Sequence, residues 1–494
     1  MSLSPRTRKT ILTILAAILI VGGLLAWFAW YKFFREEPEQ QFANEAERFK
    51  YGSIGAENTR GIPYWIWIVL PRVFPDLTPG PGGYKSFGLV WEEGKELPVG
   101  FTKRVIGIPR VANNCAICHT GTWRSKPGET PHVVTTAPSH TADMQGLLRF
   151  LINTAKDPRF NADTILGEID QMTELSFIDR QLYRFLIIPA TKKALIEQEG
   201  QLAWMNRPGF PDWGKGRDDP MNLTKYFMTS MAYDNSTGQA DFPSVWNLKV
   251  RKGAGNIDGS PEDEKRGVRF LNWSCDTPAV RSVIMDSALG LGAQPGAQFL
   301  RRMEELDKFL SEWPAPKYPF TIDDALAKTG AGIYDRHCAD CHEPGRPRTN
   351  TPIPIDEIKT DRERMDTWIQ AAADEANRRV KEMGINRPNM VKQEGYQSPP
   401  LDGIWMRAPY LHNGSVPNLK EMLEPEEKRT KVFYRGYDVY DKDNVGFITN
   451  DDAAKKTGWK HDVNERGNGN KGHNYGTGLS AEEKRALLEY MKTL

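Results

Sequence analysis

Residues 11–31 run Ile-Leu-Thr-Ile-Leu-Ala-Ala-Ile-Leu-Ile-Val-Gly-Gly-Leu-Leu-Ala-Trp-Phe-Ala-Trp-Tyr without a charge. As a helix this stretch is long enough to cross the ~30 Å of a bilayer's hydrocarbon. Beyond it, apolar positions recur at helical spacing and seldom alternate. Met144-Gln145-Gly146-Leu147-Leu148-Arg149-Phe150-Leu151 and residues 177–193 predict helices. So do Asp323-Asp324-Ala325-Leu326-Ala327-Lys328 and Gly332-Ile333-Tyr334-Asp335-Arg336-His337, which together lead into Cys338. Ser480-Ala481-Glu482-Glu483 has the form of a capping box and opens a helix through Met491 that carries Leu487, Leu488 and Met491 on one face. No strand-rich region competes, so the expected class is mainly α. The Pro- and Gly-rich residues 208–220 and the run Trp313-Pro314-Ala315-Pro316 read as connections, the second marking a domain boundary.

The flanks of the apolar run orient it. Arg6, Arg8 and Lys9 precede it and Glu36, Glu37 and Glu39 follow it, which leaves the N-terminal tip in the cytoplasm and the remaining chain outside. A cleaved signal peptide would have a shorter apolar core ending in small residues, whereas this one ends in aromatics suited to a membrane interface. The expectation is a single-pass anchor in the bacterial cytoplasmic membrane with a periplasmic globular part. Lys plus Arg total 65 against 64 Asp plus Glu, a balance that gives nucleic acid or other polyanions no attractive field. The 43 Gly and 34 Pro imply long loops around whatever core the chain builds.

The chemistry lies in the cysteines. Of five in the chain, four fall in Cys115-Ala116-Ile117-Cys118-His119 and Cys338-Ala339-Asp340-Cys341-His342. C-x-x-C-H is the attachment pattern of c-type haem: two thiols bond the vinyl groups and the histidine becomes an axial iron ligand. Zinc knuckles do not need a histidine directly after each second cysteine, and a dithiol redox site expects a βαβ setting. Two covalent haems are therefore expected, held by Cys115, Cys118 and His119 and by Cys338, Cys341 and His342. Extracytoplasmic placement agrees, since covalent haem attachment in bacteria takes place outside the cytoplasmic membrane. The wide separation of the motifs suggests a duplicated cytochrome module: residues 1–35 as tip and anchor, 36–313 and 314–494 as two cytochrome c-like haem domains with long loop-rich elaborations. Cys275, without a partner cysteine, reads as a buried thiol.

What each iron does depends on its sixth position, because a filled site moves electrons and an open one does chemistry. His132, His140, His337, His412, His461 and His473 remain after the proximal pair. His337 abuts the attachment motif and reads as a packing or surface residue.

The segment Arg407-Ala408-Pro409-Tyr410-Leu411-His412-Asn413-Gly414-Ser415-Val416-Pro417-Asn418-Leu419 resembles one carried by the bacterial di-haem cytochrome c peroxidase superfamily after its second haem motif. Phe433-Tyr434-Arg435-Gly436, Tyr440-Asp441, Gly446-Phe447 and Gly467-Asn468-Gly469-Asn470-Lys471-Gly472-His473 bring it nearest to the di-haem rubber-oxygenase-like branch. The weaker segments Gly214-Lys215-Gly216-Arg217-Asp218-Asp219-Pro220 and Asp241-Phe242-Pro243-Ser244-Val245-Trp246 extend the likeness. That branch implies His473 as second axial ligand of the C-terminal haem; the peroxidases imply a methionine instead, for which Met422 is the candidate, and His412 is a further alternative whose other reading is to orient a loop or a haem propionate. The rubber-oxygenase-like branch also implies an open N-terminal distal side for which Phe242, Trp246 and Trp273 are lining candidates. The peroxidases imply instead a distal histidine, for which His132 and His140 are candidates, as ligand or proton donor.

These readings converge on an extracytoplasmic di-haem oxidoreductase, peroxidase- or dioxygenase-like, with a redox partner protein and a small oxidant or apolar substrate. The rival is a pure electron carrier of a respiratory chain. Asp441-Lys442-Asp443-Asn444-Val445-Gly446 resembles the start of a calcium loop, but Val445 stands at a ligand place and Asp452, not Glu, ends it, which favours a plain turn over calcium.

Overall fold

The computed structural model describes residues 4–251 and 270–494. One helix among them, Pro5–Phe33, is long and apolar enough to cross a membrane. Ser4 caps it by accepting from the Thr7 amide, and no residue of it is buried by the rest of the chain. A helix that is apolar all round and unburied needs a non-aqueous surrounding. Its last turns carry Trp27 stacked on Tyr31, ring centres 5.5 Å apart, beside Trp30. The chain then locks into the fold: the Glu37 amide donates to the Val105 carbonyl at 3.0 Å and the Gly107 amide to that of Arg35 at 2.8 Å. Gly107, at φ +69°, turns a hairpin directly against the helix end, where a Cβ would stand 2.2 Å from the Lys32 carbonyl oxygen. Only glycine fits both the left-handed backbone and the contact.

That hairpin corrects the expectation that no strands compete. Phe101–Ile106 pairs antiparallel with Ile108–Asn113, and Ile62–Pro63 adds a third strand to the latter. Thr102, Arg104 and Ile106 are buried and Lys103 is exposed, the alternation a half-buried strand needs. The β-branched residues around Gly107 were the available signal. The first cysteine motif thus follows a hairpin, whereas the second follows a helix, so the local frames are not copies of one another.

Helices dominate elsewhere. Tyr64–Val73, Met144–Lys156, Phe177–Leu182 and Ile188–Leu202 pack into one core, the last two joined by the π-turn Tyr183–Ile187. Val280–Gly290 and Ala297–Glu312 build a second core around Ala116. Near the C-terminus, Asp323 caps Asp324–His337 by accepting from the amides of Ala325 and Leu326. This helix packs against Ala481–Met491, whose capping box of Ser480 and Glu483 is formed as expected. At Gly330 the two backbones meet so closely that a Cβ would lie 2.0 Å from the Ala486 carbonyl oxygen.

Hydrogen bonds and ion pairs run across the boundary expected at 313. Residues 208–220, read as a connection, include buried Trp213, Arg217 and Asp219. Arg217 Nη1 donates to Asn468 Oδ1 at 2.7 Å, and Arg124 pairs with Asp438. Arg435 Nη2 reaches Asp241 Oδ1 at 2.5 Å, with both side chains nearly inaccessible. Removing one partner of a buried pair strands the other charge at a cost of about 3–5 kcal/mol. Arg435→Met is therefore expected to lower the unfolding midpoint in urea strongly, and a second change, Asp241→Asn, to recover part of the loss. Equal midpoints for wild type and Arg435→Met would show that this pair does not join the halves.

Candidate functional site

The Asn114 side chain accepts from the Ala116 amide and starts the short turn Cys115–Ile117, and the His119 amide closes it by donating to the Cys115 carbonyl at 3.1 Å. His119 Nδ1 lies 2.9 Å from the Pro243 carbonyl oxygen. A carbonyl only accepts, so Nδ1 carries the hydrogen and Nε2 keeps a free lone pair, the tautomer a metal-ligating histidine uses. Burial pushes His119 down to about 4, which keeps the ring neutral at ordinary pH. Burial pushes the Cys115 thiol up to about 11 and Cys118 well above its usual range. Both effects oppose a thiolate-based redox dithiol. Among the described residues no group of three or more His, Cys, Asp and Glu converges as a metal ion's ligand set.

Cys115, Cys118 and His119 share the wall of a cavity of about 770 Å³. Phe242 and Trp273 line it; Trp246 does not. Trp246 lies in the core around the second motif, donating from Nε1 to the Asp402 carbonyl at 3.0 Å beneath the Arg407 guanidinium. Neither distal-histidine candidate faces the cavity. The strand Thr120–Trp123 runs straight out of the motif and pairs with His132–Thr135, which sets exposed His132 against Trp123 at the hairpin's far end. His140 is buried, stacked on Phe447 at 3.9 Å, with both ring nitrogens unpartnered.

Two cavity residues escaped the sequence reading. Asp218 stands on the wall with its carboxyl pushed up to about 7 by burial, Arg364 opposing that shift. Arg364 also lines the cavity, and its Nε and Nη1 are buried without partners. An orphaned guanidinium at a cavity wall fits a carboxylate such as a haem propionate. With two thiols, a neutral imidazole and sufficient volume, the residues present fit a covalently attached haem. No pattern in Asp361-Arg362-Glu363-Arg364 distinguishes Arg364 from an exposed arginine on a helical turn.

The second motif repeats the proximal arrangement on a different frame. The His342 amide donates to the Cys338 carbonyl at 3.0 Å, and His342 Nδ1 lies 2.7 Å from the Pro399 carbonyl oxygen. Its ring faces His473: the two centres are 6.1 Å apart with planes at 42°. Two imidazoles bound at ~2 Å to one ion between them have ring centres about 6 Å apart. The glycine-rich loop is held by Arg429, whose Nη1 donates to the carbonyls of Asn470 and Gly472 at 2.7 and 2.8 Å. The His473 amide donates to the Ile358 carbonyl at 2.8 Å. Burial, with His342 adding to it, pushes His473 down to about 3, and its Nδ1 is buried and unpartnered. His412 stacks on Tyr396 at 3.9 Å and accepts the Asp241 amide on its carbonyl, and Met422 packs in the core with Leu423 and Leu487. His461, buried between Phe433 and Trp459, is a further histidine with unpartnered nitrogens.

The segment considered for calcium closes a hairpin, Tyr440–Asp441 against Gly446–Phe447. Asp441 Oδ1 accepts from the amides of Asp443 and Asn444 and Oδ2 from the Asn444 side chain, so the carboxylate serves its own turn.

A family described as RoxA-like, cytochrome c-like matches residues 395–434, a stretch containing the Pro-Tyr-Leu-His segment. The uncharacterized protein y4iJ of Sinorhizobium fredii is 26% identical over 580 aligned residues, 92% of each chain. The uncharacterized protein y4iM of the same organism is 30% identical over 233, covering 42% of this chain and 49% of that one. A hydrazine synthase chain of Kuenenia stuttgartiensis, solved under xenon pressure, shares 14% identity over 53% of this chain and 74% of its own. Its TM-score of 0.28 carries no structural argument. The family match supports a haem oxidoreductase with a cytochrome c-like domain at its C-terminal end.

Proposed function

We propose that this protein is a membrane-anchored, periplasmic di-haem c-type oxidoreductase in which the haem held by Cys115, Cys118 and His119 is the reaction centre for peroxide or dioxygen. Cys338, Cys341, His342 and His473 would hold a second haem, which would supply an electron relay. The observation that carries this reading is the asymmetry of the two histidines that close the motifs: His342 faces another imidazole at 6.1 Å, whereas His119 opens on a cavity of about 770 Å³ in which, among the described residues, it is the only histidine. The haem supplies the redox chemistry when bound.

The chain's own residues then divide the work. Pro243 and Pro399 hold the two proximal rings in one tautomer each. Phe242 and Trp273 narrow the space above the cavity floor, Trp273 being fixed by its Nε1 donating to the Asp241 carbonyl at 2.9 Å. Arg364 offers two unpaired N–H groups to a carboxylate. Burial pushes the Asp218 carboxyl up to about 7, towards the range a proton donor for oxygen chemistry requires.

Asp218→Asn is accordingly expected to lower peroxide or dioxygen turnover by about 10²-fold and to flatten its pH profile, while the covalent haem content stays at the wild-type value. Unchanged turnover with an unchanged profile would remove Asp218 from the mechanism. Spin state tests the reading as a whole: one low-spin and one carbon-monoxide-binding haem per chain support it, and two low-spin haems that ignore carbon monoxide overturn it.

The electron-carrier alternative draws on Met144, Met221, Met228 and Met390, which line the same cavity. A methionine closing the His119 iron would make both haems relays, and the carbon monoxide titration separates the two readings. Anchoring rests on the helix Pro5–Phe33, which is long and apolar enough to cross a membrane and has no residue buried by the rest of the chain. Mature protein whose first residue lies beyond Tyr31 would overturn the anchor.

A further inference from the structure

The N-terminal helix ends where the cavity of His119 begins. Phe33, its last residue, stands in the cavity wall with Ile62 and Ile108. Leu186, Ala190 and Ala194 line the same cavity and are also exposed. Wall residues that remain exposed mark a mouth, so the cavity opens beside the point where the helix leaves the globular part.

Next to this mouth lies an apolar ridge. Phe177 is 77% exposed, Phe185 74%, Ile178 50% and Leu186 49%. They belong to the helix Phe177–Leu182 and the π-turn after it. Scattered apolar side chains on a surface mean little, but four large ones in ten residues form a contiguous patch that asks for a non-aqueous partner. The ridge is tied to the N-terminal helix: Lys32 Nζ pairs with Asp179 Oδ1 at 2.6 Å, and Asp179 sits between Ile178 and Arg180 on the ridge itself. The helix end beside it carries the interfacial aromatics Trp27, Trp30 and Tyr31. Arg180 and Arg184 stand among the ridge residues, paired to Asp170 and Asp163. Lys193 on the following helix pairs with Glu197 at 3.8 Å, so the apolar centre has a polar, charge-balanced rim.

We propose that the ridge of residues 177–186 enters the same bilayer as the N-terminal helix, so that the cavity beside His119 opens onto lipid and takes an apolar, membrane-dissolved molecule from it. This rests on the anchor and on the open His119 site, and it names the phase that supplies the substrate. A protein partner could cover such a patch, but the ridge is continuous with the base of a membrane helix, and the bilayer is the surface already present there.

The test uses the full-length holoprotein in nanodiscs of phosphatidylcholine and phosphatidylglycerol. A bimane is placed at Ile178→Cys, which labels selectively because the motif cysteines carry haem and Cys275 is buried. Lipids bearing a nitroxide on the acyl chain should quench this probe several-fold, and aqueous iodide should not. The same probe at Leu24→Cys reports on the helix. If the Leu24 probe is quenched by lipid while the 178 probe answers to iodide, the anchor stands and the ridge proposal falls; if neither is quenched by lipid, both fall.

For the mouth, oxidised protein in nanodiscs is titrated with 1-dodecylimidazole and with imidazole, reading the haem absorption shift. Phe177→Asp/Phe185→Asp should weaken the apparent affinity for the dodecyl ligand at least tenfold and leave that for imidazole unchanged. Equal affinities for the dodecyl ligand in wild type and variant would overturn loading from lipid. No shift with either ligand would overturn the open His119 site and the inference with it.

Discussion

Replacing Cys338 and Cys341 by alanine should reduce the covalent haem content from two per chain to one. The thioethers need both thiols at i and i+3 with the histidine at i+4, and here a single turn presents all three: the amides of Cys341 and His342 both donate to the Cys338 carbonyl, at 3.2 and 3.0 Å. The first motif closes the same way on Cys115 but belongs to a separate setting, after a hairpin instead of a helix. Loss of one haem should therefore leave the attachment of the other intact, and Cys115→Ala/Cys118→Ala should be the mirror image. A pyridine haemochrome assay reads the count directly. Wild-type protein with one covalent haem or none would overturn the di-haem reading. A double alanine variant that lost both would show that the two sites assemble as one.

His473→Ala should convert one low-spin haem to high-spin and raise carbon monoxide binding by the reduced protein from about one equivalent per chain to about two. An axial position left without its ligand becomes open to exogenous ones. The expected effect is large because no other histidine is placed to substitute: His412 is stacked on Tyr396 and His461 is enclosed by Phe433 and Trp459. The haem at His119 should keep its spectrum, since its proximal histidine depends on Pro243, not on the glycine-rich loop. Imidazole added to the variant should restore the low-spin spectrum, which a collapse of that loop would prevent. An unaltered spectrum in His473→Ala would pass the sixth position to Met422 or to no protein ligand.

The legible parts of this protein are those written at short range. The cysteine motifs, the cap at Asp323, the capping box at Ser480 and the apolar run from Ile11 each occupy a few consecutive residues or one periodic stretch, and each is read from spacing alone. The helices at Met144–Lys156 and Asp324–His337 followed from the same kind of signal. The hairpin around Gly107 was missed although its alternation was present, because a short apolar run does not announce its period.

Residues chosen by distance from a motif or by aromatic character met the fold unevenly. Phe242 and Trp273 reach the cavity while Trp246, four residues after Phe242, packs against the other motif's core. His132 fails because a strand pairing carries it away from the motif that precedes it.

By itself, then, the sequence determined the two Cys-x-x-Cys-His motifs, the apolar helix and the preponderance of α structure, since each is set by neighbours along the chain. Only the tertiary structure decided which ring faces His342, that Pro243 and Pro399 orient the proximal histidines, that Arg364 and Asp218 share a wall with Cys118, and that Phe33 stands at the mouth of that cavity. Those groups come together from segments separated by tens to hundreds of residues. A cavity wall has no period, because its residues are selected by closure of the chain in space and not by their order along it.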